Sequence, residues 1–345
     1  MFRGNLKGSS RGSSTSATSL IFCRPTLRMS TRDFMMLVTR LRRPIAVVFR
    51  SLCAARLSSF QPMQDVRLSD QQVEFYRENG YVIVEDILTD DQLEVWRETI
   101  DEAVAERGND WTLPQKGQAD VTNVELEYYT QVFTQRINLW QSNSKAHSLV
   151  FKAAKVFARL ACQLEGIKKM RIWHDQALYK EPWANPTSWH VDIPYWSFDS
   201  THAISVWIAL DDATEKNGCM YFLPGTHKII KNGYEKKGEF TEIKIGKNMA
   251  DIFKAFPEVK SAHSVAVPMR SGSCSFHSAM LIHGAGTNMT AGRRRAMTVQ
   301  MMPDGSKFNG KQNILTNKQF ESLNIGDVLN SEDQNPLLYD TTSTT

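Results

Sequence analysis

The sequence predicts a mainly β domain with flanking helices, and three observations carry the prediction. Two capping boxes open helices early in the chain, and a third helical pattern follows them. From about Lys169 onward, short apolar runs alternate with Gly, Pro, Asn and Asp, the pattern of a sandwich of short strands. Ser69-Asp70-Gln71-Gln72 is the first capping box, and its helix runs through Phe75 and Tyr76 to stop at Gly80. Tyr81 to Val84 then reads as a strand. Thr89-Asp90-Asp91-Gln92 opens a second helix, with Leu93, Trp96, Ile100 and Val104 at three- and four-residue spacing, and Gly108 ends it. An unpatterned stretch with Trp111 and Pro114 precedes a helix expected over about Ser144 to Leu164. The chain thus divides into an extension (1–60), a domain (68–303) and a tail (304–345). The domain has a helical part over about 68–165 and a strand-rich part over about 169–303. The tail has little patterned hydrophobicity and is expected to wrap the surface or stay disordered.

Charge is segregated along the 345 residues. Residues 1–60 hold eleven Lys/Arg against one acid, Asp33, which leaves 30 basic and 36 acidic residues in 61–345. A mildly acidic body does not suggest a nucleic-acid partner. The extension is rich in Arg, Ser and Thr, with apolar patches at Phe34–Val38 and Ile45–Phe49, a composition that fits a mitochondrial transit peptide. The alternative is a disordered extension, or translation from Met63, on a cytoplasmic protein. No apolar run approaches 18 residues, so no transmembrane helix is expected. Thr342 to Thr345 do not form a Ser-Lys-Leu-type peroxisomal address. The five cysteines are scattered and lack C-x-x-C spacing, which argues against a zinc ribbon or disulfide framework and for a reducing compartment. The lysine-rich segment Lys228 to Asn248 is expected as a solvated insertion, with contact to substrate phosphates as the sharper alternative.

The chemistry concentrates in three places. Eight histidines and 37 acidic residues make about one His-x-acid triplet expected by chance, so His190-Val191-Asp192 alone carries little weight. Its setting, Trp189-His190-Val191-Asp192-Ile193-Pro194-Tyr195-Trp196, is apolar and aromatic, where an uncompensated carboxylate is costly to bury and metal coordination removes the cost. An extended segment would put positions 190 and 192 on one face. Two histidines and a carboxylate occupy one face of Fe(II) in non-heme iron oxygenases and leave the other face for a cosubstrate and dioxygen. His277 and His283, in the run Gly272 to Gly286, are rival third ligands that spacing does not separate. Arg293-Arg294-Arg295 leads into a strand-like segment, and alternation sets Arg294 on the face opposite its neighbours. A buried guanidinium there would suit a carboxylate-bearing cosubstrate, whereas the triplet alone reads as a solvated basic patch.

These motifs resemble the phytanoyl-CoA dioxygenase family of Fe(II)- and 2-oxoglutarate-dependent oxygenases. The likeness rests on Ser188-Trp189-His190-Val191-Asp192, on Asn217 to Lys228 with its Leu223-Pro224-Gly225-Thr226-His227, on Leu281 to Asn288 running on to Arg294, and on the opening Asn79-Gly80-Tyr81-Val82-Ile83-Val84. It spans about residues 68–303. The resemblance implies a double-stranded β-helix core, a jelly roll of the cupin-like kind. It also implies His190, Asp192 and His283 as the iron ligands, choosing His283 over His277, and Arg294 as partner of the distal 2-oxoglutarate carboxylate. By the same resemblance Trp207 borders the cosubstrate, Gln176 and Lys180 lie on the strand lining it, and Arg136 matches an upstream basic residue. Val191 stands where the family often has Gln, and Ala285 where some members have Ser, each losing one hydrogen bond to the cosubstrate region.

The implied reaction is hydroxylation of an unactivated C–H bond of a small molecule or acyl-CoA-type substrate, with dioxygen consumed and succinate and carbon dioxide released. Asp192 favours hydroxylation, because halogenating relatives lack this carboxylate. Trp183, Trp189, Tyr195, Trp196 and Phe198 would suit an apolar substrate, or be sandwich core. Two rival readings stand beside this one: a binding or scaffold protein on the same fold, and a zinc hydrolase using the same ligands. The hydrolase leaves Arg294 without a role.

Overall fold

The structure, a computed structural model, describes residues 66–108, 131–238, 240, 249 and 251–342, all within the unit Leu52–Thr345. The expectations for residues 1–60 and for the stretch with Trp111 and Pro114 lie outside these residues. Both capping boxes form. Ser69 and Gln72 cap each other's backbone N–H at helix α1 (Asp70–Asn79), and Thr89 and Gln92 do so at α2 (Asp90–Arg107). Helix α3 (Ser144–Glu165) is the third expected helix. It turns a face of Ala146, Ala153, Ala154, Ala158 and Ala161 inward, all fully buried with Leu149 and Phe157. Side chains this short let the helix backbone lie close to the sheet, and Phe157 meets Phe276 edge-on with centroids 6.2 Å apart.

Strands β1 (Tyr81–Val84), β2 (Thr134–Ile137), β3 (Lys169–Lys180), β4 (Thr187–His190), β5 (Ile204–Ala209) and β6 (Met220–Phe222) precede helix α4 (Thr226–Lys237). After it come β7 (Val265–Val267), β8 (Cys274–Ser278), β9 (His283–Ala285), β10 (Arg294–Pro303) and β11 (Leu337–Asp340). Among the described residues, seven strands make one antiparallel sheet in the order β1-β8-β5-β10-β3-β11, with β2 also on β3. The other four make a second sheet, β4-β9-β6-β7. From β3 to β5 and from β8 to β10 the chain passes from the large sheet to the small one and back, which winds the two into a double-stranded β-helix.

Alternation along the large sheet divides its two faces. Val82, Val206, Ile208, Phe276, Met297 and Val299 pack under the helices, while Tyr81, Trp207, Ala209 and Ala296 face inward toward Met220 and Phe222 of the small sheet. The inward face therefore carries the polar side chains that can meet a ligand: Ser205 on β5, His277 on β8, Thr298 and Gln300 on β10, Gln176 on β3. All but Gln176 are buried.

Two expectations are corrected. The tail contributes β11 to the large sheet, anchored by Arg171 to Asp304 (2.5 Å) and Glu332 (2.7 Å) with Gln334 and Asn335 buried. Phe308, Leu315, Leu329 and Leu338 are buried as well, but they are too widely and irregularly spaced to leave a hydrophobic period in the sequence. The lysine-rich insertion begins as a helix, α4, whose buried Ile230 ties it to the fold; most of 239–250 lies outside the described residues.

Candidate metal centre

His190 ends β4, and His283 starts β9 directly opposite it, so the two rings share a face with centroids 4.2 Å apart. Asp192 arrives by a turn rather than by an extended strand. Its backbone is right-handed helical (φ −78°, ψ −44°), and the Ala279 carbonyl accepts the N–H groups of Asp192 (3.0 Å) and Ile193 (3.1 Å). Val191, between His190 and Asp192, is fully buried in a second apolar cluster with Ile193, Trp196 and Phe198.

The donor set fits a divalent metal. Nδ1 of His190 lies 2.7 Å from the Ser188 carbonyl, and Nδ1 of His283 lies 2.9 Å from the Leu281 carbonyl. A carbonyl only accepts, so each Nδ1 carries the proton and each Nε2 keeps its lone pair for a metal. Both Nε2 atoms stand 3.6 Å from Oδ1 of Asp192, and one ligand atom from each of the three residues lies within 4.8 Å of the others. Burial pushes both imidazoles down to about 4, which keeps them neutral at ordinary pH. Burial opposes ionisation of Asp192, but the rings of His283, His277 and His190 around it hold its carboxyl well below the usual range. Its other oxygen, Oδ2, accepts the Ser205 hydroxyl at 2.8 Å. His277 is not one of the three clustered donors; its Nε2 faces the other carboxylate oxygen, Oδ2, 3.8 Å away.

Arg294 is on the inward face, as alternation requires. It is 3 % exposed, whereas Arg293 is exposed and Arg295 pairs with Asp211 and Asp101 (2.7 Å each). Its Nη2 donates to the Gly218 carbonyl (3.0 Å), but Nε and Nη1 are buried without a hydrogen-bond partner among the described residues. The guanidinium carbon sits 5.1 Å over the Trp207 ring, and Trp207 is two residues from Ser205, which holds Asp192. A buried cation with idle donors, stacked on an aromatic ring, has the chemistry to receive a carboxylate. Lys180 is the register partner of Arg294 and is 1 % exposed; its Nζ donates to the carbonyls of Asn185 (2.6 Å) and Val132 (3.3 Å). Burial, then the Arg294 charge, push this ammonium down to about 7.

The remaining expected residues divide. Gln176 faces inward and accepts from Gln135 Nε2 at 2.6 Å, and Ala285 faces inward opposite Met220. Arg136 does not join them. It is paired with Ala177, on the helix-facing side of the sheet, so the inward-facing residues of β2 beside it are Gln135 and Ile137. The aromatic set also splits. Trp196 and Phe198 are core against Trp173, Trp189 and Tyr195 are half-buried, and Trp183 is 66 % exposed. The sequence reading missed His174, which is buried on β3 in register with Gln300, itself in register with Ser205. Period-two alternation from Gln176 would have pointed to it.

Residues 76–296 match the family described as phytanoyl-CoA dioxygenase (PhyH). The chain belongs to that family. Peroxisomal phytanoyl-CoA dioxygenase of Homo sapiens is 25 % identical over 254 residues, covering 70 % of this chain and 72 % of the human protein. Among solved structures, the non-heme alpha ketoglutarate dependent carbocyclase SnoK of nogalamycin biosynthesis aligns with a TM-score of 0.62 at 25 % identity, over 80 % of this chain and 99 % of its own. The epimerase SnoN, solved with Fe3+, alpha ketoglutarate and nogalamycin RO, aligns at 0.59 and 25 %, over 78 % and 98 %. This PhyH-family chain is thus a 2-oxoglutarate-dependent dioxygenase, an oxidoreductase whose His–Asp–His cluster fits iron.

Proposed function

We propose that His190, Asp192 and His283 hold Fe(II), that Arg294 holds the C5 carboxylate of 2-oxoglutarate, and that the enzyme hydroxylates a C–H bond of a small molecule. The observation carrying this is the buried Arg294, with two idle donors, on the same inner wall as a cluster whose Nε2 lone pairs are free. Bound iron would supply activation of dioxygen coupled to oxidative decarboxylation of the cosubstrate, with succinate and carbon dioxide released. The chain's own residues orient and exclude. Arg294 fixes one end of the cosubstrate; Trp207 forms its floor; Ala209 and Ala296, in register beside each other, leave room for its length. Lys180, in register with Arg294, closes that same end by tying the segments at Val132 and Asn185 together. The two sheets keep bulk water out, so the oxidising equivalents meet substrate rather than solvent.

The wall level with Asp192 supports a substrate with hydrogen-bonding groups near the reacting carbon. It presents His174 and Gln300, where a bare alkyl chain would find no polar match. The names of curated relatives point instead to a branched acyl-CoA. Oxygen-dependent succinate release, measured with phytanoyl-CoA and with a panel of hydroxylated and amide-bearing metabolites, tests the substrate class. Coupled turnover with phytanoyl-CoA and none with the panel would refute the polar reading. Loss of all 2-oxoglutarate turnover in His190→Ala and Asp192→Ala is expected; full turnover in either would refute the ligand set. Among the described residues no helix is long and apolar enough to cross a membrane. The basic, acid-poor residues 1–60 support mitochondrial delivery of the 68–303 oxygenase domain, which imaging of a C-terminal fluorescent fusion checks.

A further inference from the structure

We propose that His277 is a positioning residue for the metal: with Ser205 it fixes the outer oxygen of Asp192, so that the carboxylate offers one oxygen, Oδ1, to the ion. The inference rests on the ligand set proposed above. Ser205 and His277 are register partners on adjacent strands, and both side chains face Oδ2 of Asp192, at 2.8 Å from Oγ and 3.8 Å from Nε2. At 3.8 Å the histidine contributes an oriented N–H dipole rather than a hydrogen bond. Oδ1 is left facing the Nε2 atoms of His190 and His283, 3.6 Å from each.

The cost of the arrangement argues that His277 is not there to fill space. Its ring is 2 % exposed, among Phe222 (5.4 Å) and His283 (4.7 Å), and its Nδ1 is buried without a hydrogen-bond partner among the described residues. A phenyl ring would fill the same volume without an orphaned polar atom. What the imidazole adds is Nε2 against Oδ2. Without that pull Oδ2 is held by the Ser205 hydroxyl alone, and the carboxylate is less firmly fixed in the orientation that aims Oδ1 at the two Nε2 atoms. Outer partners of ligating carboxylates set metal affinity in this manner, commonly by 10- to 100-fold.

The test uses the full-length protein, freed of metal, and Co(II) as the probe, followed by calorimetry and by the visible ligand-field bands. His277→Phe is expected to weaken Co(II) binding by about tenfold and to leave the melting temperature of the metal-free protein unchanged or raised. His277→Gln, which sets an amide N–H where Nε2 stands, is expected to stay within about threefold of the parent. Co(II) affinity in His277→Phe equal to that of the parent would overturn the proposal. Should the phenylalanine variant not fold, His277→Asn carries the same test, because its amide stops short of Asp192; a tenfold loss supports the role and parental affinity overturns it. Failure of the parent to bind Co(II) is a separate outcome, which removes the ligand set itself.

Discussion

Arg294 should behave as an unstable element of the fold and an indispensable element of the site, and one substitution separates the two. In Arg294→Leu the side chain keeps much of its volume on the inner wall but loses a buried charge that has one carbonyl, that of Gly218, as its partner. Burial alone pushes this guanidinium down to about 10, the mark of a charge held in an unfavourable place. Replacing such a group by an apolar one should stabilise the protein, by about 1 kcal/mol or more, which corresponds to a rise in Tm of roughly 2–4 °C for a domain of this size. The cosubstrate should respond in the opposite direction. Two idle donors meeting a carboxylate contribute about 1.5–3 kcal/mol each, so the variant should bind 2-oxoglutarate at least about 100-fold more weakly. Thermal melts with and without 2-oxoglutarate read both effects. At about 100 times the parent's Kd the ligand adds about 2.7 kcal/mol to the parent, and at most about 0.4 kcal/mol to the variant. A variant that melts several degrees lower than the parent, yet is stabilised equally by 2-oxoglutarate, would refute the reasoning.

Other outcomes follow from the same geometry. Lys180, depressed to about 7 in the fold, is charged in the unfolded chain up to about pH 10. Stability should therefore fall as pH drops from about 10 to 7 and level off below. A dianion bound beside it should recapture the proton, so that 2-oxoglutarate binding at pH 7.5 takes up protons and tightens as pH falls toward 7, levelling off below. Calorimetry in buffers of different ionisation enthalpy checks this; heats independent of buffer, or uptake that persists in Lys180→Met, would contradict it. Gly218→Ala should lower Tm by at least about 4 °C. The backbone there has φ +88°, and an added Cβ would meet Lys180 Cδ at 2.5 Å and the Gly286 carbonyl at 2.7 Å; an unchanged Tm would count against this packing. Trp183 is 66 % exposed with φ +63°, so Trp183→Gly should relieve about 1 kcal/mol of backbone strain and raise Tm or leave it alone, whereas a clear fall in a melting scan would show packing that the fold does not display.

What the sequence made legible was whatever leaves a local period or a fixed spacing. The capping boxes at Ser69 and Thr89, the helix over 144–165 and the inward turn of Arg294 are local grammar, and the fold reproduces each. Family resemblance selected His283 over His277; what spacing alone could not supply is the three-dimensional arrangement, in which His283 faces His190 across a strand pair and His277 faces Oδ2 of Asp192. Arg136 shows the limit of matching by position, since a shift of one residue on β2 exchanges the inner face for the outer one and puts Gln135 beside Gln176 instead. The tail was illegible because its buried apolar residues, Phe308, Leu315, Leu329 and Leu338 among them, follow no strand or helix period, and because Arg171 pairs with Asp304 and Glu332 across more than 130 residues of sequence. The turn that brings Asp192 to its partners depends on the carbonyl of Ala279, also remote in the chain.

The central claim is that His190, Asp192 and His283 hold iron with 2-oxoglutarate chelated beside Arg294. Anaerobic titration of 2-oxoglutarate into Fe(II)-loaded full-length protein, followed through the visible metal-to-ligand charge-transfer band, tests it most directly. The parent should give a saturable band, His283→Ala none, and Arg294→Leu a midpoint at least about 100-fold higher. Absence of the band in folded, iron-loaded parent protein, or a band of parental strength in His283→Ala, would contradict it.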